Sequence, residues 1–332
     1  MTQPGPPLRI GILGAARIAP AALVRPAAAS PDAVVAAVAA REPGRGRAFA
    51  RKHGIARVFD SYAALIAAPD IDAVYNPLPN GLHGRWTKEA LAAGKHVLCE
   101  KPFTANAAEA REIAALAATS DRVVMEAFHY RYHPMTRRAE EIIASGELGE
   151  LVRVDTAMCF PLPRFSDIRY DYTLAGGALM DAGCYAVHMA RVFGGENPDV
   201  VAATAKLRGQ DIDRAMSAEL RFPSGHTGRL RCSMWSSDVL RIGARVVGER
   251  GELRLLNPVA PQLPRRLSVR SERGSRTEQV SRRSTYAYQL DAFVAAVRHG
   301  EPVLTAPDDA VATMTVIDAI YAAAGLPLRQ PA

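Results

Sequence analysis

The sequence predicts a doubly wound parallel α/β domain followed by an α+β domain built on a mostly antiparallel sheet. Three observations carry this. From Leu8 to Glu126, short apolar runs alternate with helical segments, the rhythm of parallel strands joined by helical crossovers. A glycine-led turn, Gly14-Ala15-Ala16-Arg17-Ile18-Ala19, follows the first of those runs. After Phe128 the texture changes to long segments with strand periodicity, separated by turn residues. At 332 residues, 48% hydrophobic and 23% charged, the chain is long enough for two cores, and the expected division is 1–128 and 129–332.

Leu8 to Leu13 reads as a buried strand that leads through the turn into an alanine-rich helix ending near Pro26. The turn has the place of a dinucleotide-binding loop, with Gly-x-Ala-x-x-Ala in place of GxGxxG. Gly14 still permits the tight bend, while Ala16 sets a methyl group where a pyrophosphate approaches. A second strand, Ala33 to Ala40, follows at βαβ spacing. It ends in Ala39-Ala40-Arg41, without the carboxylate that would bind a ribose 2′-hydroxyl. Arg41, with Arg45 as a second cation, suits a 2′-phosphate, so NADP is favoured. Glu42, one residue beyond Arg41, keeps NAD open.

Ser61 opens a short helix to Ala68, then comes a strand from Ile71 to Tyr75 and the loop Asn76-Pro77-Leu78-Pro79-Asn80-Gly81-Leu82-His83. Its two prolines keep that loop out of any ladder or helix. His83 precedes a helix from about Arg85 to Ala93, where it could line a cofactor site or cap the helix. The strand Lys95 to Cys99 runs out at Glu100-Lys101-Pro102. A charged pair pinned by a proline at a strand's carboxyl end stands where open α/β sheets bind ligands; a solvated ion pair is the plainer alternative. Asn106 and Glu109 form a capping-box pattern for a helix to Ala118, and the strand Arg122 to Glu126 completes the first half.

In the second half a helix from Thr136 to Ser145 precedes strands at Leu151 to Phe160, Val200 to Leu207, Ala215 to Phe222, Thr227 to Trp235, Arg241 to Val247 and Glu252 to Leu256. Helices from Tyr286 to Arg298 and Asp308 to Ala324 close the chain. Between the first two strands lies Gly176-Gly177-Ala178-Leu179-Met180-Asp181-Ala182-Gly183-Cys184-Tyr185-Ala186-Val187-His188. Asp181, Tyr185 and His188 fall at i, i+4 and i+7, so on a helix they share one face, which either lines a site or meets solvent. The loop Phe160 to Tyr172, with Arg164, Arg169, Tyr170 and Tyr172, is expected beside a substrate pocket; a solvated loop is the alternative.

Met1 to Pro7 has three prolines and neither a basic n-region nor an apolar h-region, so no signal peptide is expected. No apolar run approaches a membrane span, and a cytoplasmic protein is expected. Four cysteines, Cys99, Cys159, Cys184 and Cys232, lack disulfide or zinc spacing, so no metal site is indicated. The net charge of +7 is concentrated in 261–286, where seven arginines face Glu272 and Glu278. That stretch reads as a solvated face, with a phosphate-bearing substrate or an acidic partner as alternatives. No aromatic interleaving or recognition motif points to nucleic acid.

Together, the N-terminal turn, Pro77-Leu78-Pro79-Asn80-Gly81-Leu82-His83, Glu100-Lys101-Pro102 and Gly176-Gly177 with Asp181 resemble the Gfo/Idh/MocA family of glucose–fructose oxidoreductase and inositol dehydrogenase. The resemblance implies a Rossmann domain and an open, largely antiparallel sheet that builds homodimers or homotetramers. It implies cofactor contacts from Gly14, Ala15, Ala16, Arg17, Ile18, Arg41, Pro77, Leu78, Asn80, His83, Glu100 and Lys101. Where many members carry a catalytic histidine four residues after the motif aspartate, this chain has Tyr185, which resembles the branch of dihydrodiol and xylose dehydrogenases and deoxysugar ketoreductases.

Hydride transfer to or from a carbinol carbon needs a partner that moves the hydroxyl proton. Tyr185 is that partner in this reading. Lys101 lowers its phenol pKa and touches substrate or cofactor ribose, while Asp181 orients the lysine or binds a sugar hydroxyl. Arg164, Tyr172 and His188 are the expected substrate neighbours. The substrate is a sugar, cyclic polyol, dihydrodiol or nucleotide-linked ketosugar. The rival readings are an NAD-dependent glycosidase of the same superfamily and a non-catalytic NADP- or sugar-responsive regulator.

Overall fold

The computed structural model of the protein describes residues 5–332; the part of the leader expectation that concerns 1–4 lies outside the described residues. The apolar run Leu8–Leu13 forms β1, interrupted only by Arg9, whose guanidinium swings out to the Asp72 carboxylate at 2.7 Å. Around it assemble β2 (Ala33–Ala39), β3 (Arg57–Phe59), β4 (Ala73–Asn76), β5 (His96–Cys99) and β6 (Val124–Glu126) in the order β3-β2-β1-β4-β5-β6. Every pairing is parallel, the doubly wound sheet that the alternating rhythm predicts. The strand order reverses between β1 and β4, so the crevice at the carboxyl ends of the strands opens there.

A π-helical segment, Pro20–Val24, runs on into α1 (Arg25–Ala28), and α2 (Pro43–His53), α3 (Tyr62–Ala67), α4 (His83–Ala92) and α5 (Ala107–Ala118) supply the remaining crossovers. Ser61 and Asn106 cap α3 and α5 through bonds from Ala64 N and Glu109 N, and Glu109 reaches back to Ala105 N. Strand β5 starts one residue later than expected, because the Lys95 backbone N–H is spent on Ala90 O at 2.9 Å, at the end of α4, while its Nζ donates to the carbonyls of Ala68 and Ile71, each at 2.7 Å. Short β3 and Gly/Arg-rich α2 have too little apolar periodicity to be read from sequence.

After α6 (Pro134–Ala144), the second sheet comprises β7 (Leu151–Cys159), β8 (Asp199–Arg208), β9 (Ile212–Arg221), β10 (Thr227–Ser233), β11 (Arg241–Gly248), β12 (Gly251–Leu256), β13 (Arg266–Ser271) and β14 (Gly274–Glu278). It is antiparallel except for β7 beside β10, in the order β14-β13-β12-β11-β7-β10-β9-β8. The β13–β14 hairpin corrects the reading of 261–286 as only a solvated stretch. Leu267 and Val269 point into the core while Arg266 and Arg270 point out, and Arg276 is fastened to Glu147 and Glu278. Arginines on the outer positions hid the period-two signal.

Helix α7 (Cys184–Gly194) packs on the sheet, with Thr156 Oγ1 donating to Ala186 O at 2.9 Å. Helix α8 (Thr285–His299) returns to the first sheet, where Leu290, Phe293 and Val294 join the core of Ile10, Ile12, Tyr75 and Leu98. Helix α9 (Pro307–Ala323) lies against α5 and α7 and so bridges the two sheets.

Beyond α9, Arg329 is the largest fully buried side chain, and it organises the entry to α7. It pairs with buried Asp213 at 2.9 Å and donates to Gly176 O at 2.7 Å. Asp213 in turn accepts Leu179 N at 2.6 Å and the Tyr321 hydroxyl at 3.0 Å. Gly177 passes through this knot at φ +135°, and a Cβ there would meet Asp213 Oδ1 at 2.2 Å, so only glycine fits. Deleting one partner leaves the other charge buried and unpaired. Arg329→Ala is therefore expected to cost about 3–5 kcal/mol of stability, measured by urea unfolding; a loss below 1 kcal/mol would contradict this role.

Candidate active site

The crevice is floored by the loops after β4 and β5. Tyr75, at the end of β4, donates its hydroxyl to Glu100 Oε1 at 2.7 Å, and Asn76 Nδ2 reaches His83 O at 3.1 Å. His83 is the first residue of α4 and does not cap it. Its ring lies between Leu78 O and Pro102 O, each at 2.7 Å, and so ties the Pro77–Leu82 loop to the Glu100-Lys101-Pro102 turn, whose Lys101–Pro102 bond is cis. Two facing carbonyls favour a charged ring, but burial outweighs them and brings the His83 pKa down to about 4.

From the other side, the knot at Gly177 feeds a π-helical turn, Leu179–Gly183, into α7. Lys101 Nζ donates to Asp181 O at 3.1 Å and lies 5.2 Å from the centroid of the Tyr185 ring. The Asp181 carboxylate faces Arg169 at 3.3 Å and Asn80 Nδ2 at 3.4 Å, so groups from both halves of the chain converge on it. Burial raises the Asp181 carboxyl, opposed by Lys101 and Arg169; burial likewise raises Glu100, opposed by Lys101 and Tyr75.

Three expectations are corrected. Lys101 was expected to lower the Tyr185 phenol pKa, yet it stands over the ring face, and burial pushes that phenol well above its ordinary value, with Tyr286 and Glu100 adding to the effect. His188, expected near substrate, is fully buried: its Nδ1 faces the Tyr130 hydroxyl at 2.5 Å and its Nε2 faces Asp309 at 3.0 Å. The stripe therefore meets neither solvent nor one common site. Tyr172 donates to Leu328 O at 3.1 Å with Arg329 over its ring, so it anchors the chain's tail, while Arg164 is exposed beside Ser166.

The remaining residues form a cradle that fits a dinucleotide. Gly14 turns at φ +97° while its N–H bonds Ala39 O at 2.6 Å, and a Cβ there would meet Leu78 at 3.1 Å. Ala15 and Ala16 are half-buried, and Arg17 and Ile18 are exposed. Arg17 reaches across to Asp167 at 2.6 Å, and Asp167 also holds Arg169 at 3.1 Å. Arg41 is exposed at the end of β2, with Glu42 at 3.9 Å, and no further carboxylate pairs with it among the described residues. Asn80 Nδ2 joins the Pro77–Leu82 loop to Ala175 O at 3.1 Å.

Residues 8–128 match the oxidoreductase family with an NAD-binding Rossmann fold, and 136–254 match the GFO/IDH/MocA C-terminal domain. The chain belongs to the Gfo/Idh/MocA family. A D-xylose 1-dehydrogenase (NADP(+)) from Haloferax volcanii is 39% identical over 96% of this chain and 97% of its own. A 3-ketoreductase from Actinomadura kijaniata, solved with NADP and TDP-benzene, superposes with a TM-score of 0.88 at 28% identity, over 96% of this chain and 98% of that one. An aldose-aldose oxidoreductase from Caulobacter crescentus superposes at 0.87 and 26% identity, over 96% and 98%.

Sequence reasoning did not single out four polar residues that shape this family member's crevice: His129, Thr285, Asp213 and Arg329. Only His129 had a signal, the aromatic and histidine cluster His129-Tyr130-Arg131-Tyr132-His133. Burial holds three imidazoles neutral, lowering His83 and His133 to about 4 and His129 to about 3. Below about pH 6.5 the unfolded chain binds protons there that the folded chain refuses, so the contribution of these three imidazoles to stability is full above that pH and falls towards pH 4. Urea midpoints are expected to drop across that window. His133→Asn, which keeps an acceptor for Met135 N at the start of α6, should flatten the slope; an unchanged slope would contradict the assignment.

Proposed function

We propose that the protein is an NADP(H)-dependent dehydrogenase or reductase acting on a sugar CH–OH or carbonyl group, with Lys101 and Tyr185 as its catalytic pair. The observation that carries this reading is the meeting of Lys101, from the end of β5, with Asp181 and Tyr185 from the far side of the crevice. The D-xylose dehydrogenase and the ketoreductase among its relatives support an aldose or ketosugar substrate and NADP.

The nicotinamide supplies the hydride acceptor or donor when bound. Gly14 to Ile18 and the Pro77–Leu82 loop hold the dinucleotide, with Arg41 set for the 2′-phosphate. Lys101, fixed by the Asp181 carbonyl, presents a cation to the substrate oxygen and stabilises negative charge as it develops there. Tyr185 moves the proton between its own oxygen and the carbinol oxygen. Asp181, held by Arg169 and Asn80, offers an acceptor for a sugar hydroxyl.

The enzyme works as a homodimer or homotetramer in this reading. Val201 and Leu256 stand exposed on the face of the second sheet that carries no helix, and Trp235, Val239 and Leu240 are exposed in the loop before β11. Sedimentation equilibrium reads that state directly. The four cysteines are free and buried, which suits the cytoplasm, and no helix of the described residues is long and apolar enough to cross a membrane.

A screen of aldoses, cyclic polyols, trans-dihydrodiols and nucleotide-linked ketosugars, followed by reduced-nicotinamide absorbance, is expected to return a sugar. Tyr185→Phe should then lower kcat by about 10²–10⁴-fold while leaving NADPH binding intact; native turnover would overturn the assignment. Arg41→Ala should weaken NADPH by about 10–100-fold, the loss of a charged hydrogen bond, and spare NADH. Equal losses for the two cofactors would refute the 2′-phosphate role.

A further inference from the structure

We propose that His129 is a positioning residue for the proton chemistry of Tyr185: its Nε2 accepts the Tyr185 hydroxyl proton, making Tyr185 the outer half of a buried two-proton relay. This rests on Tyr185 being the group that exchanges a proton with substrate.

The ring of His129, buried just after β6, is held at both nitrogens. Nε2 faces the Tyr185 hydroxyl at 3.0 Å, and Nδ1 faces Thr285 Oγ1 at 2.7 Å. Tyr286 packs on the ring with centroids 4.0 Å apart. Lys101 is the positive group that bears on it, His133 being held neutral by its own burial, and Glu100 bears on Tyr185 and Tyr286.

The direction of the line follows from its far end. Thr285 Oγ1 also lies 3.4 Å from Val259 O, which can only accept. In the proposed line the Thr285 proton goes to that carbonyl and Thr285 accepts from Nδ1–H. A neutral imidazole then has a bare Nε2, and Tyr185 is the donor. Burial and Lys101 both oppose a charged ring, consistent with a neutral His129 at rest.

This orientation has a chemical consequence. The one proton of Tyr185 points away from the crevice and its free lone pair points towards it. Burial equally opposes a resting tyrosinate, so Tyr185 cannot wait as an anion for a carbinol proton. Passing its own proton on as it receives another keeps it neutral throughout. During oxidation the carbinol O–H bond breaks and a Tyr185 O–H bond forms, while the original Tyr185 O–H bond breaks and an Nε2–H bond forms. The C–H electron pair leaves as hydride to the oxidised dinucleotide. Once product has left, the proton that Tyr185 took from the carbinol passes to solvent in the crevice and the imidazolium, disfavoured by burial, returns its proton to Tyr185; reduction runs the same bonds in reverse.

Two measurements test this. In ¹⁵N-labelled protein without substrate at neutral pH, long-range ¹⁵N–¹H correlation should show His129 as the Nδ1–H tautomer with an unprotonated Nε2, assigned by loss of the signal in His129→Gln; an Nε2–H tautomer overturns the proposal. In the second, His129→Gln retains an oxygen that can accept the Tyr185 bond but cannot carry its proton. With D-xylose, or the sugar returned by the screen, its kcat for oxidation should fall about 10²-fold or more and rise about tenfold per pH unit, because Tyr185 must now ionise first. NADP binding, read by fluorescence quenching, should be unchanged. Native kcat and pH profile in His129→Gln, or loss of kcat only in step with cofactor affinity, overturns the relay. If Tyr185→Phe is inactive while His129→Gln is native, only the relay falls; if Tyr185→Phe is itself fully active, the parent reading falls with it.

Discussion

Much of the crevice depends on one buried ion pair. Asp213 and Arg329 are fully out of water, and each would be untenable there without the other. Because the carboxylate also takes Leu179 N and the guanidinium also takes Gly176 O, the pair fixes the backbone just before the π-helical turn. The direction of α7 follows, and with it the meeting of Asp181 and Tyr185 with Lys101. A charge pair remote in sequence thus sets the geometry of groups that it does not touch.

The crevice itself is governed by desolvation. Glu100, Asp181, Tyr185 and His129 all feel burial as the first influence on their protonation, and in each case it favours the neutral form. Lys101 is the nearby cation that opposes this for the two carboxyls. Chemistry in such a place is carried most readily by groups that exchange protons without gathering net charge. In the proposed Tyr185–His129–Thr285 line, Tyr185 meets that need by giving up one proton as it takes another, and the charge falls on His129.

The two halves are joined by polar contacts that converge on the same crevice. Arg17 in the cofactor turn meets Asp167, Asp167 holds Arg169, and Arg169 meets Asp181. Asn80 reaches Asp181 and Ala175 from the β4 loop. The turn after β1, the loop holding Asp167 and Arg169, and the entry to α7 are therefore joined by a continuous line of hydrogen bonds.

Much of the fold was legible in the sequence because its signals are local. Alternating apolar runs marked the parallel strands, Gly14 marked the turn after β1, and Ser61 and Asn106 marked helix starts. Lys101 and Tyr185 were legible through motifs with a definite place, a strand end and a glycine-led helix. The β13–β14 hairpin was not, because arginines filled its outer positions, nor was the phenol's upward shift, which arises from surroundings drawn from distant segments. His188 keeps the spacing of the Asp181–Tyr185 stripe, yet packing between Tyr130 and Asp309 takes both its nitrogens. What the sequence alone determined was the order of elements and the chemical types at the crevice, since these depend on neighbours along the chain. Which groups touch, which are dry, and which way the proton of Tyr185 points were decided only by tertiary structure. Burial and hydrogen-bond direction are properties of residues brought together from 129, 185 and 285.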